Sequence, residues 1–107
     1  LTGLSMGGYG TFGYGADESK RFSAFMPICG GGDVKNADAL ATRPMWVFHG
    51  EADSVVPMER STVMVDAVRD AGGSVKFTTY PEVGHNSWDK AYSKREGAVE
   101  WLLAQKQ

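Results

Sequence analysis

Residues 3–13, GLSMGGYGTFG, fit two motifs with different chemistries. From Gly3 they read G-x-S-x-G (Gly3, Ser5, Gly7), the sharp strand-to-helix turn that exposes a nucleophilic serine. From Gly8 they read G-x-G-x-x-G (Gly8, Gly10, Gly13), a loop that cradles dinucleotide phosphates, with Asp33, 20 residues past Gly13, where a ribose-binding carboxylate belongs. That second motif must directly follow a strand, whereas Ser5-Met6-Gly7 precedes Gly8. The first motif finds partners downstream. A serine hydroxyl is a weak nucleophile near neutral pH, so it needs a histidine to take its proton and a carboxylate to hold the imidazole. HGEADSVVP (49–57) offers Asp53, and PEVGHNSWD (81–89) offers His85. Three loops in the order Ser5, Asp53, His85 are more specific than any single motif.

These loops need strands to feed them. Residues 6–15 are expected to open a helix, although Gly7, Gly8, Gly10, Gly13 and Gly15 would each cost up to about 1 kcal/mol relative to alanine in a helix interior. Such a density of glycine implies close backbone packing or a ligand. Ala24–Cys29 is an apolar run interrupted by Pro27 and followed by Gly30, Gly31 and Gly32, a strand ending in a loop. Residues 36–41 form a helical turn. Met45–His49, bounded by Pro44 and Gly50, fits a strand covered on both faces. Pro57 starts a helix over 58–71, with Val63, Ala67 and Ala71 in one apolar row and Met64 and Val68 beside them, and Gly72-Gly73 stops it. Val75–Tyr80 alternates as a further strand. Residues 90–105 are expected to be one last helix, with Val99, Leu102 and Leu103 inward and Trp101 at the margin. Strands alternating with helices predict an α/β fold, a parallel sheet flanked by helices with right-handed crossovers, and chemistry at the C-terminal strand ends.

Plainer readings compete at several positions. Glu51 and Asp89 rival Asp53, but the H-G-x-x-D spacing from His49 favours Asp53. His49 ends a strand beside Gly50 and reads as a packed structural histidine. Asp33 reads as a loop cap, with a substrate contact as the alternative. Trp88, three residues past His85, could line an acyl or aromatic pocket or anchor the histidine loop. Cys29, the single cysteine, excludes an intrachain disulfide and reads as a buried thiol. Two distant histidines and one cysteine do not form a ligand cluster, so no metal is expected. Lys90, Lys94, Arg95 and Glu96 read as a solvated helix face.

A chain of 107 residues is one small domain or part of a larger one. Its 42% hydrophobic and 22% charged residues and net charge of −2 describe a globular protein without the basic excess that would hold nucleic acid. Apolar runs such as Met45–Phe48 are far shorter than the roughly 20 residues needed to cross a bilayer. Only two residues precede Gly3, where a strand of about 5 residues is usual. The first element is therefore expected to be cut short and the chain to be the C-terminal part of a larger protein. No compartment is indicated.

The stretches LTGLSMGGYGTF, RFSAFMPICGGGD, WVFHGEADSVVP and YPEVGHNSWDKAY together resemble the C-terminal half of an α/β-hydrolase. The resemblance is to the esterase and phospholipase/carboxylesterase group, which includes polyhydroxybutyrate-depolymerase-like esterases and predicted peptidases. It implies that residues 1–107 run from the nucleophile elbow to the C-terminal helix of a partial domain. Ser5 would be the nucleophile, Asp53 the acid and His85 the base, with the Met6 amide in the oxyanion hole beside a second amide from a loop outside this sequence. Gly3 and Gly7 would leave room at the serine, and Gly8 and Gly10 would permit close packing, whereas Gly13 and Gly15 are less usual for the family. No cofactor is implied. The implied substrate is a carboxylic ester, small or polysaccharide-linked, and a prolyl-oligopeptidase-type peptidase using the same three residues is the alternative. Only three complete strands are readable, so a long sheet edge beside the elbow would lack a neighbour. The second alternative is therefore a chain that is a non-catalytic fragment by itself, or one half of an assembly, whose edge is covered by an N-terminal chain segment made or cut separately or by a second copy in a swapped oligomer.

Overall fold

The computed structural model describes residues 1–106. Four parallel strands, β1 (Thr2–Leu4), β2 (Met26–Ile28), β3 (Met45–Gly50) and β4 (Val75–Tyr80), lie side by side in sequence order. Between them run α1 (Met6–Asp17), the short α2 (Ala37–Leu40) and α3 (Glu59–Asp70), and after β4 come α4 (Trp88–Ala91) and α5 (Ala98–Ala104). The parallel α/β architecture expected from the alternation is present.

The two faces of the sheet are covered by different helices. Alternate residues of β3 point opposite ways, so Met45 and Val47 join Phe12, Phe25, Leu40, Met64, Val65 and Val68 beneath α1, α2 and α3. Trp46 and Phe48 join Met26, Ile28, Ala91 and Ala98 beneath α4 and α5. Every residue of β3 is buried, as its uninterrupted apolar run requires. Each fully buried Phe, Leu or Met contributes about 1.5–3 kcal/mol of apolar transfer, which is what holds helices with few interior hydrogen-bonding side chains against the sheet.

Pro27 shapes β2. Alternate residues of a parallel strand donate to the same neighbour, and here Phe25 and Cys29 donate to the carbonyls of Pro44 and Phe48 at 3.0 and 2.8 Å. Pro27 lies between them with no N–H to give. Pairing of β2 with β3 therefore thins to Ile28 opposite Phe48, plus an isolated bridge between Phe25 and Met45.

Two helices differ from expectation. In α3 the buried face is Ser61, Met64, Val65 and Val68, whereas Val63 is 51% exposed. Two nearly equivalent apolar rows exist in the sequence, and the choice is made by a polar residue: the Ser61 hydroxyl bonds His49 Nδ1 at 2.7 Å and the Gly30 carbonyl at 3.2 Å, which turns that side of the helix inward. The last helix is not continuous over 90–105. Ser93 takes the Lys90 carbonyl at 2.6 Å and receives the Glu96 amide at 3.3 Å, local bonds that compete with helical ones, and Gly97 follows at φ 74°. The chain turns there, and α5 meets the sheet through Ala98, Leu102 and Trp101. Trp101 stands edge-on to Trp46 at 5.6 Å, and Leu103 is 79% exposed rather than inward.

The glycines of β1 and α1 also divide. A Cβ on Gly3 would strike the Gly7 carbonyl, and one on Gly8 would lie 2.6 Å from the Ile28 oxygen and 3.0 Å from the Gly30 backbone. Gly7, Gly10 and Gly13 have no such neighbours, so the expected crowding at Gly7 and Gly10 is absent, while Gly15 faces the Phe25 ring at 2.8 Å. Gly8→Ala is therefore expected to destabilise the fold by about 1–3 kcal/mol or more. Gly13→Ala, in open space within the same helix, is expected to stabilise it by up to about 1 kcal/mol. Urea unfolding followed by circular dichroism checks both, and equal effects at the two positions would contradict the packing described.

Candidate active site

Ser5 occupies the single residue between β1 and α1. Its backbone has φ 54° and ψ −116°, a conformation that costs an L-residue about 1–3 kcal/mol. Three neighbours hold it there: β1 ends at Leu4, the Ser5 amide donates to the Ile28 carbonyl at 3.0 Å, and the Ser5 carbonyl accepts the Tyr9 amide at 3.0 Å. The tight turn lifts the hydroxyl above the C-terminal end of the sheet. Met6 follows as the first residue of α1, so its amide has no intrahelical acceptor and sits at the positive end of the helix dipole. The Met6 side chain is 86% exposed and points away from the packed core.

The other two predicted residues converge on that hydroxyl. His85, in the loop after β4, places Nε2 2.8 Å from Ser5 Oγ. Asp53, in the loop after β3, places Oδ2 2.8 Å from His85 Nδ1. Its other oxygen accepts the amides of Val55 and Val56 at 2.9 and 2.8 Å. Since the carboxylate can only accept, Nδ1 donates to it, and in the neutral imidazole Nε2 then presents its lone pair to the serine O–H. Burial raises the pKa of the Asp53 carboxyl, but the His85 hydrogen bond, the Val56 and Val55 amides and the His85 charge together outweigh it and hold the group below the ordinary carboxylate range.

Asp53, and not Glu51 or Asp89, is hydrogen-bonded to the imidazole. Glu51 turns to Thr79, whose hydroxyl donates to it at 2.7 Å, and Asp89 bonds Asn86. Asp33 accepts the Lys35 amide at 3.0 Å, as a loop cap does. His49 is fully buried, with Nε2 2.7 Å from the Val56 carbonyl and Nδ1 2.7 Å from Ser61 Oγ. Nε2 also lies 3.3 Å from Asp53 Oδ2. A carbonyl only accepts, so Nε2 donates to Val56, while Ser61 Oγ, which donates to the Gly30 carbonyl at 3.2 Å, ties Nδ1 to the end of β2. His49 thereby braces the Asp53 loop. Trp88 meets the His85 ring edge-on at 5.6 Å and packs on the α4–α5 side of the sheet, which fits an anchor of the histidine loop.

One neighbour escaped the sequence reading. Cys29, at the end of β2 with φ 44°, brings its thiol into a group with Asp53 and His85 whose ligand atoms all lie within 4.8 Å of one another. The expectation that cysteine and histidine lie too far apart to cluster is corrected: the loops after β2, β3 and β4 fold to one place. Burial raises the pKa of the thiol, the Ser5 amide and Ser87 hydroxyl lower it, and the Asp53 charge raises it further, for a net upward shift. No sequence motif marks Cys29, because only strand adjacency unites the three loops.

A strained serine at a strand-to-helix turn, with an acid and a histidine from the ends of later parallel strands, defines an α/β-hydrolase. A model of the prolyl oligopeptidase family matches residues 32–106, and the chain belongs to that family. It is 39% identical over 54 residues to acyl-protein thioesterase 1 of Gibberella zeae, an alignment covering 50% of this chain and 23% of that protein. It superposes on a thermostable esterase with a TM-score of 0.92 at 42% identity, over 99% of this chain and 30% of that one. The acylaminoacyl peptidase of Pyrococcus horikoshii shares the fold, with a TM-score of 0.81 at 18% identity over 99% of this chain and 24% of that one. The chain thus spans less than a third of each of these relatives, as part of a larger hydrolase fold. Its relatives include esterases and thioesterases, and the same fold occurs in a peptidase. No helix among the described residues is long and apolar enough to cross a membrane.

The lowered Asp53 pKa fixes the direction of a pH effect. A carboxyl with a depressed folded-state pKa contributes stability above its unfolded value, about 3.9, and loses it as the pH falls through the folded value. Acid is expected to lower the urea midpoint below about pH 4. Asp53→Asn should make that dependence shallower by up to about 1.4 kcal/mol per pH unit. An unchanged acid slope in the variant would remove Asp53 from the account.

Proposed function

We propose that the protein is a serine hydrolase that cleaves carboxylic esters through an acyl-enzyme. The observation that supports it best is the unbroken hydrogen-bond chain from Ser5 Oγ through His85 to Asp53, with both links at 2.8 Å. In this reading His85 Nε2 takes the serine proton as Oγ attacks the carbonyl, then returns it to the leaving alcohol. Asp53 keeps the imidazole in the required tautomer and stabilises the imidazolium. The Met6 amide stabilises the oxyanion at the helix N-terminus, a donor whose loss typically costs about 10²–10³ in rate, with a second donor from outside these residues. Water then releases the acyl group. The groups proposed to react are organic side chains, and the reading needs no cofactor.

The esterases and thioesterases among the relatives support esters and thioesters, both of which present an electrophilic carbonyl; the esters proposed are small or polysaccharide-linked. The family match favours a second reading, cleavage of peptide amides by the same residues. Comparing matched ester and amide substrates separates the two. The free side of β1 also fits a domain completed by preceding strands or by a second copy of the chain. A monomer with cooperative unfolding in sedimentation and denaturation experiments would overturn the need for such a partner.

Treatment with a fluorophosphonate, followed by peptide mass spectrometry, is expected to place the adduct on Ser5. Labelling should vanish in Ser5→Ala and fall steeply in His85→Ala, and Asp53→Asn should lower the rate of ester hydrolysis by about 10⁴. A folded protein that is not labelled at Ser5 would defeat the proposal.

A further inference from the structure

Behind the serine, the C-terminal ends of β2, β3 and β4 bring together a thiol, a carboxylate and an imidazole. One ligand atom from each of Cys29, Asp53 and His85 lies within 4.8 Å of the others. Zn²⁺ bonds thiolate at about 2.3 Å and imidazole or carboxylate at about 2.0–2.2 Å, so tetrahedral ligands stand roughly 3.4–3.6 Å apart. Shifts on the order of 1 Å would suit the cluster to such an ion. The thiol and the Asp53 side chain are buried, and the His85 side chain, 21% exposed, gives the cation a way in.

A second observation points to the same ligand. Ser87 is fully buried, and its hydroxyl has no partner in regular hydrogen-bond geometry. It lies beside the Cys29 thiol. An unsatisfied buried hydroxyl costs about 1–3 kcal/mol. A metal-bound thiolate would give it an acceptor, the outer-shell bond that commonly supports a metal ligand.

We propose that Cys29, Asp53 and His85 form a binding site for a thiophilic divalent cation of the zinc class, and that the cation switches the serine site off. The binding stands on the cluster alone, whereas the inhibition rests on the serine-hydrolase reading. The metal takes the thiolate, the carboxylate and His85 Nδ1, and the two anionic ligands neutralise its charge. The thiol proton is released to solvent, and the Nδ1 proton moves to Nε2. In that tautomer Nε2 can donate to Ser5 Oγ but cannot accept its proton, so the nucleophile loses its base. No electron is transferred.

Co²⁺ is the probe, because a thiolate ligand gives it a charge-transfer band in the near ultraviolet and Cys29 is the only thiol in the chain. Titration of the purified protein is expected to show this band with one cobalt bound and one proton released, and Zn²⁺ should displace the cobalt. Cys29→Ser should abolish the band, and Ser87→Ala should weaken binding by roughly 10–100-fold. No band in a folded protein, or a band that survives Cys29→Ser, overturns the site. Should Cys29→Ser fail to fold, zinc-edge X-ray absorption of the wild type decides: one sulfur at about 2.3 Å supports the site, and nitrogen and oxygen ligands alone overturn it. Zinc should also slow fluorophosphonate labelling at least tenfold, with recovery on chelation. Cobalt bound through Cys29 with labelling unaffected by zinc overturns the switch but leaves the site. Cobalt binding in a protein never labelled at Ser5 overturns the serine reading instead.

Discussion

The structure depends on one close approach, that of the start of α1 to the end of β2. Gly8 lies so near the Ile28 carbonyl and the Gly30 backbone that no side-chain atom fits between them. Nothing bulkier would let α1 descend on the sheet immediately after a three-residue strand. With the helix held down, the single residue joining it to β1 must adopt an unfavourable backbone conformation, and that residue is Ser5. The Ser5 amide is in turn bonded to the Ile28 carbonyl that Gly8 leaves accessible. Packing energy from the buried face of α1, with Phe12 at its centre, offsets the strain.

Around this fixed point the polar groups are arranged so that few can move independently. Asp53 receives bonds from two backbone amides and from His85, so its carboxylate orientation is set by the loop that carries it. That loop is tied from below by His49, which links the Val56 carbonyl to Ser61 and, through Ser61, to Gly30 at the end of β2. The same serine sets the rotation of α3. A single buried network thus couples the position of Asp53, the seating of a helix and the loop that borders the elbow. Satisfied networks of this kind favour one arrangement, because each alternative leaves a buried polar atom without a partner.

Much of this was legible in the residues. MWVFH announced a strand buried on both faces, and the order Ser5, Asp53, His85 led to three side chains that do meet. What the sequence could not reveal were choices made by contacts between distant segments. Val63 and Val65 are equally apolar, and the one that turns inward depends on a hydrogen bond between Ser61 and a histidine on another strand. Residues 90–105 carry a helical pattern, but Ser93 and Gly97 end the turn locally while Trp46 decides where Trp101 packs. Pro27 interrupts a ladder rather than a strand, a distinction that depends on which neighbour its missing donor would have faced. Cys29 entered the site because β2 lies beside β3, a fact of topology without any local signature.

Each strand pairs only with its neighbour in sequence, so the sheet can be assembled by closing one modest loop after another. The two side-chain bonds of widest separation among the described residues are different: Thr2 to Tyr92 and Ser5 to His85 span 90 and 80 residues. Both fasten the first strand and elbow to the last third of the chain. The loop-closure entropy for such contacts is large when they form first and small once the intervening strands are in place. The geometry of the serine site is therefore a clasp between β1 with its elbow and the segment after β4, and it reports on whether the strands between them are seated.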